Sequence, residues 1–255
     1  MRYNKHTKDF TVLFMRPSQA LWDVQPAGPR VSLWLWFVLV LGSWTLLHAV
    51  TRTLFDIEAA SPSVRFTWWT LWKVITWLGP TFILLRRAGV ASASWLGLST
   101  ARGLGAALLW STAWLAFQKV CEMQGLSLVA RNAPPEHFSM VAGALLVAPL
   151  FEEIMFRGAL LRLLRARGYG RERAVWVSAL AFTVLHLPGW ISRFGFDATI
   201  PSRFGGIMLF GVGVGYLAWR VPSLWGPIAL HFLNNAWATR ALDMLMSVHA
   251  CETQL

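Results

Sequence analysis

The sequence predicts an all-α, polytopic transmembrane helical bundle of about seven spans (six to eight), and three observations carry that reading. Apolar residues are grouped in blocks of about twenty, the length that crosses a hydrocarbon core. Charged residues make up 14% of the 255 residues and apolar ones 56%, whereas soluble domains carry about 25% charge. Basic residues sit mainly between the apolar blocks, as cytoplasmic membrane loops do. That placement also argues against nucleic-acid binding, which the net charge of +11 would otherwise suggest. Sixteen Trp and sixteen Phe against three Tyr add an aromatic excess.

In chain order the candidate spans are 31–50, 66–85, 104–121, 138–163, 174–192, 204–219 and 222–246. The fifth contains Pro188 and, with the sixth, is the least regular. Residues 1–30 read as a basic cytoplasmic arm without a cleavable signal peptide, so the first span is expected to act as an uncleaved anchor. Residues 31–130 form a first group of helices, 131–246 a second group that holds the polar motifs, and 247–255 a short tail. Cys121 and Cys251 suit neither a CxxC pair nor a disulfide framework. Cys251 is fifth from the end, not fourth, so the tail is not expected to act as a prenylation signal.

A cytoplasmic N-terminus places fourteen basic residues inside. They are Arg2, Lys5, Lys8, Arg16, Arg30, Arg86, Arg87, Arg102, Arg162, Arg165, Arg167, Arg171, Arg173 and Arg220. Six fall outside: Arg52, Arg65, Arg131, Arg193, Arg203 and Arg240. An extra or missing helix would reverse the later loops and spoil the alternation, so the charge pattern supports seven spans as well as the orientation.

Ionisable residues inside spans are costly and point to function. The fourth span holds Glu152, Glu153 and Arg157. Glu153 and Arg157 share a helical face and form an i,i+4 pair, whereas Glu152 points about 100° away towards another neighbour. Arg157 can then balance one carboxylate and leave the other for general-base work. The alternative is a buried ion pair that only fixes helix packing. The fifth span contributes Phe182-x-x-x-His186, and the seventh carries His231-x-x-x-Asn235 with Asn234 beside it. Taken singly, these are an interfacial histidine and interhelical hydrogen-bonding groups. Depth joins them: at 1.5 Å per residue, Glu152, His186 and His231 lie roughly 15, 18 and 14 Å from the cytoplasmic ends of their spans. A shared polar cavity near the bilayer middle is expected.

The ordered set Glu152-Glu153-x-x-x-Arg157, Phe182-x-x-x-His186 and His231-x-x-x-Asn235 resembles the EExxxR, FxxxH and HxxxN motifs of the CAAX prenyl protease and bacteriocin-processing (CPBP) family of intramembrane proteases. The likeness spans about residues 138–238 and would make 131–246 the catalytic core; the first ninety or so residues carry no motif of this family. The resemblance implies that Glu152 activates water with help from His186, that His231 and Asn235 stabilise the oxyanion, and that Glu153, Arg157 and Phe182 support them. It implies no cofactor in the glutamate mechanism. A zinc ion held by the Glu and His residues stays open as the other mechanism, since two imidazoles and a carboxylate suit catalytic zinc. The expected partners are a membrane-associated peptide or protein and the lipid bilayer, with no nucleic acid; the expected location is the bacterial plasma membrane. A non-catalytic peptide-binding or immunity protein on the same fold is one competing class. A transporter with a Glu–His relay is another, disfavoured by the lack of inverted repeats.

Other features read as structural. Gly211-x-x-x-Gly215 suits close helix packing better than dinucleotide binding. Trp34, Trp36, Trp44, Trp68, Trp69, Trp72 and Trp77 suit interfaces and lipid-facing surfaces, with an aromatic substrate groove as the alternative. The basic run 162–173 reads as a topology determinant, and Lys73 as a snorkelling residue.

Overall fold

The computed structural model describes residues 32–126 and 137–240, and the description below concerns those residues. The N-terminal arm 1–30, Arg131, the stretch 241–246 of the seventh expected span, and the tail with Cys251 lie outside them.

Helix α1 (Leu33–Leu54) starts at Ser32, whose side chain accepts from the Leu35 N–H at 3.1 Å. Its buried residues Trp36, Val40, Trp44, Leu47 and Thr51 recur every three or four positions and form one inward stripe. Leu35, Leu39 and Leu46 on the other side are more than half exposed. Apolar side chains facing outwards along a whole helix have their natural solvent in lipid.

The remaining elements follow the expected spans. Helix α2 runs Pro62–Lys73, continues through a π-helical stretch Val74–Leu78, and ends as Gly79–Arg87. A short α3 (Ala93–Leu96) precedes α4 (Leu104–Met123). Helix α5 (Phe138–Ala166) contains two π-helical stretches, Gly143–Val147 and Ile154–Leu161, on either side of Glu152 and Glu153. Then come α6 (Arg171–Val184), α7 (Leu187–Phe194), α8 (Ile200–Arg220) and α9 (Trp225–Ala238). All elements among the described residues are helical.

Four helices are long and apolar enough to cross a bilayer: Leu33–Leu54, Phe138–Ala166, Arg171–Phe194 and Ile200–Arg220. The other three expected spans are also largely helical over their described residues, but length and apolarity alone do not identify them. Helix α2 carries Arg65, Lys73, Arg86 and Arg87. Helix α9 has 14 described helical residues, against about 20 for a full crossing. The fifth span is not one rod, because the chain turns at Leu185 and His186 and restarts with Pro188 in the first turn of α7. Proline is accepted there, since a helix's first N–H groups have no internal partner.

Helix α5 is the hub, packed against α2, α3, α6, α8 and α9. Helix α8 lies along α6, where Gly211 faces Ala179 and Phe182, and Gly215 faces Val175. A Cβ at Gly215 would stand 3.0 Å from Val175 Cγ1. These glycines therefore set the close approach of two helices, as the small-residue spacing indicates. Gly215→Leu is expected to cost about 1–3 kcal/mol through overpacking, read as a lower unfolding midpoint in detergent micelles; an unchanged midpoint would contradict the close packing.

Two sequence-based readings need correction. Trp36, Trp44 and Trp77 are core residues, 3%, 5% and 4% exposed, and not lipid-facing ones. They lie where α1 meets α2, with the Trp44 and Trp77 rings 4.7 Å apart. Trp34, at 74% exposure, keeps the outward position. Arg162, read as one of the topology-setting charges, is buried and donates to the carbonyls of Trp95 at 2.5 Å and Pro222 at 2.8 Å. It ties the α3 turn to the start of α9, a junction reinforced by Leu224 N–H to Gly97 C=O at 2.9 Å. Gly97 adopts φ +79° there, and a Cβ would meet the Pro222 carbonyl at 2.5 Å.

Candidate active site

Three helices deliver the expected polar residues to one place. Glu152 and Glu153 project from α5 just before its second π-helical stretch, a widening often found at functional positions. His186 comes from the turn between α6 and α7, and His231 from the middle of α9. Glu152, Glu153, Arg157 and His231 are 5%, 0%, 1% and 3% exposed, so their interactions act in a poorly solvated setting. His186, with 25% of its side chain exposed, forms the more open side of the cluster.

One oxygen of Glu152 is the meeting point. Glu152 Oε2 lies 3.8 Å from His186 Nε2 and 3.7 Å from His231 Nε2. Both distances exceed a hydrogen bond, so the three groups face one another across a gap. The rear nitrogens are fixed. His186 Nδ1 lies 2.8 Å from the Phe182 carbonyl, which can only accept, so Nδ1 carries the proton. His231 Nδ1 lies 2.8 Å from Glu153 Oε1, which also accepts a 3.0 Å bond from Arg157 Nη1. In their neutral forms both imidazoles therefore present an Nε2 lone pair to Glu152. Three acceptors turned towards one another need a shared proton, a water or a cation between them.

Arg157 completes the support. Its Nη2 donates to the Gly211 carbonyl at 3.0 Å, and its guanidinium stands 4.5 Å from the Phe182 ring centre. Phe182, fully buried, also packs edge-on against His186 and His231, with centroids 4.8 and 5.8 Å away. One aromatic ring thus spaces both imidazoles and Arg157, which explains the Phe four residues before His186 in physical terms.

Asn235, the remaining expected site residue, is engaged by the backbone of α5. Its Nδ2 donates to the Ala144 carbonyl at 2.9 Å, one turn along α9 from His231. The reason is local. Pro149 has no N–H, so the Ala144 carbonyl five residues earlier lacks its π-register donor, and the Asn235 amide supplies one. Asn234, which the motif leaves aside, is buried and accepts from Trp114 Nε1 at 3.0 Å and Gln118 Nε2 at 3.2 Å, pinning α4 to α9. The i,i+4 pair Trp114 and Gln118 on one face of an apolar helix was the available signal for that tie.

Zinc can be tested against this geometry. Two imidazoles and a carboxylate are the right donor types. Tetrahedral bonds of about 2.0–2.2 Å set ligand atoms roughly 3.3–3.6 Å apart, closer than the 3.7 and 3.8 Å found. Among the described residues no group of three or more His, Cys, Asp or Glu side chains is arranged to hold a metal ion. The donor types suit the ion and the separations lie within a few tenths of an ångström of the tetrahedral range, so zinc stands beside the glutamate mechanism at this site.

The apolar helices and this buried carboxylate–imidazole cluster define an integral membrane protein with an intramembrane polar site. Residues 134–237 match the family described as Type II CAAX prenyl endopeptidase Rce1-like. All three motifs fall inside that stretch, and the match is consistent with the CPBP family resemblance drawn from them. No curated protein and no solved structure gives a significant match.

Proposed function

We propose that this protein is an intramembrane endopeptidase that hydrolyses a peptide bond near the terminus of a membrane-associated peptide or protein. The observation that carries the reading is the convergence of Glu152 Oε2 with both imidazole Nε2 atoms inside a region matching a protease family. A water seated in that gap would meet Glu152 as general base, with His186 orienting it. Water oxygen bonds to the scissile carbonyl carbon as Glu152 takes its proton. The carbon–nitrogen bond then breaks, and the same proton passes to the departing amine.

His231 has a defined part in this scheme. Its Nδ1 proton is engaged by Glu153, so it presents an N–H at Nε2 only as the imidazolium. In that form it can donate to the oxyanion, with the Glu153 carboxylate behind it and Arg157 balancing the pair. Asn235 acts more remotely: by holding the Ala144 carbonyl it sets the spacing of α9 against α5. Its second amide hydrogen remains for substrate. The substrates that fit are prenylated CAAX tails, leader peptides and C-terminal sorting signals. The protein would sit in a bacterial plasma membrane with its N-terminus in the cytoplasm, as the distribution of basic residues supports.

The test is cleavage of membrane-associated peptides by the purified protein in liposomes, with Glu152→Gln, His186→Ala and His231→Ala alongside. Turnover by the wild type and its loss in the variants is expected; equal turnover by all four would overturn the assignment. A strong chelator is expected to leave the wild-type rate unchanged within about twofold, since a general-base carboxylate needs no metal. Chelator inactivation reversed by zinc would replace the glutamate mechanism with the metal one.

A further inference from the structure

A cavity of about 750 Å³ opens between the C-terminal end of α1, the turn that follows it, α2 and α7. Its volume lies within the range of small-molecule sites. Helix α1 has 22 residues, roughly 33 Å of rise, so its last turn stands at the edge of the hydrocarbon layer, where lipid phosphates lie. Leu54 and Phe55 line the cavity and are 71% and 50% exposed, so acyl chains can run along its mouth.

Two kinds of unspent group line this space. The first is cationic. Arg52 and Arg193 both line the cavity, and neither forms an ion pair among the described residues. Arg52 Nη1 donates to the Ser192 carbonyl at 3.0 Å, which sets its guanidinium beside the residue that precedes Arg193. Two like charges at one cavity favour an anion between them. Asp56 is the one acid among the described lining residues, and its Oδ1 is taken up in capping the turn Ile57–Ala59, accepting from the Ala59 N–H at 3.3 Å.

The second kind is neutral. Thr51 is 3% exposed, and its hydroxyl has no hydrogen-bond partner among the described residues. Thr45 and Thr53 on the same helix bond the carbonyls four residues back, at 2.7 and 2.9 Å, so Thr51 has left the usual local partner unused. His48 Nε2, three residues earlier, is also buried without a partner. The His48 ring is fixed by Trp69, stacked on it with centroids 4.7 Å apart, and by Trp44, edge-on at 4.6 Å. Buried polar atoms left unpaired are costly and mark a place for a ligand or water.

We infer that this cavity binds one anionic phospholipid with a polyol headgroup, the class to which phosphatidylglycerol belongs. The phosphodiester meets Arg52 and Arg193, whose forked donors suit phosphate oxygens. The headgroup hydroxyls reach Thr51 and His48, which call for uncharged partners able to donate and accept. A choline headgroup is disfavoured, because its cation would stand beside two guanidiniums with Asp56 already engaged. The lipid ties α1 to α7, and the Trp190 N–H of α7 bonds the His186 carbonyl at 3.1 Å. Occupancy therefore steadies the segment that carries His186. Binding itself is independent of the protease reading.

The experiment is native mass spectrometry of the full chain released from detergent micelles, with phosphatidylglycerol, phosphatidylserine or phosphatidylcholine added singly. One phosphatidylglycerol is expected to bind about 10–100-fold more tightly than phosphatidylcholine, the discrimination that charge-assisted hydrogen bonds provide. Phosphatidylserine has the same net charge but no polyol, and is expected to bind about 2–10-fold more weakly than phosphatidylglycerol. Arg193→Gln is expected to remove at least about half of the preference on a logarithmic scale, and Arg52→Gln with Arg193→Gln to bring it within about threefold of unity. Thr51→Val is expected to weaken phosphatidylglycerol about 2–10-fold and leave phosphatidylcholine unchanged. Arg193 makes no hydrogen bond among the described residues, so the single variant decides the matter if the double one does not fold. Equal binding of phosphatidylglycerol and phosphatidylcholine overturns the site. So does a preference that survives in Arg193→Gln, which would assign it to basic residues elsewhere. Phosphatidylserine bound as tightly as phosphatidylglycerol, with Thr51→Val silent, overturns the polyol headgroup. Glycerol phosphate that competes as well as the lipid overturns the lipid in favour of a soluble phosphate ester.

Discussion

Replacing Glu152 with glutamine is expected to lower kcat for peptide cleavage by about 10²–10⁴-fold, the range a positioned general base contributes. KM is expected to stay near the wild-type value, because the amide keeps the shape of the side chain and loses only the ability to take a proton. Stability is expected to stay within about 1 kcal/mol of wild type. Among the described residues Glu152 makes no hydrogen bond, the two imidazole nitrogens standing 3.7 and 3.8 Å away, so little native bonding is lost. The combination is diagnostic: near-complete loss of turnover in a protein that unfolds at almost the same temperature. Peptide turnover in liposomes and thermal unfolding in micelles supply the two readings. A variant retaining more than a tenth of the wild-type kcat would remove Glu152 from the role of base.

Replacing Arg157 with methionine is expected to act in the opposite manner, through the fold. Arg157 and Glu153 are both fully buried, and the guanidinium also holds the Gly211 carbonyl on α8. Removing one partner of a buried pair leaves an uncompensated charge and costs about 3–5 kcal/mol. The double variant Glu153→Gln, Arg157→Met removes both charges and is expected to recover at least about half of that loss. It will not regain activity, because Glu153 Oε1 is also the partner of His231 Nδ1 at 2.8 Å. Unfolding midpoints of the two single variants and the double variant form the cycle that checks this. Additive losses would mean that the two residues are not energetically coupled.

The contrast between these neighbours was partly visible in the sequence. Adjacent side chains on a helix diverge by about 100°, so Glu152 and Glu153 had to face different surroundings, and the i,i+4 spacing gave Arg157 to Glu153. Similar depths for Glu152, His186 and His231 followed from helical rise alone. The close approach of α8 to α6 was legible from Gly211 and Gly215, because a missing side chain has the same consequence wherever a second helix is near.

Other features needed the neighbours themselves. Pro149 marks an interruption of α5, but nothing local says that the freed Ala144 carbonyl is met by Asn235, which is 91 residues away. Trp36, Trp44 and Trp77 carry the same chemistry as a lipid-facing Trp, and only the packing of α1 on α2 turns them inwards. Arg162 looks like a membrane-edge charge until the α3–α9 junction surrounds it.

By itself the sequence determined the apolar helical character, the order of the polar motifs and the pairing of Glu153 with Arg157. Each depends on periodicities of 3.6 residues and 1.5 Å that one helix carries alone. The tertiary structure decided which nitrogen of each histidine faces Glu152, that Asn235 serves the α5 backbone, and that Arg52 and Arg193 line one cavity. Those outcomes depend on contacts between helices, where a difference of a few ångströms separates a hydrogen bond from a gap.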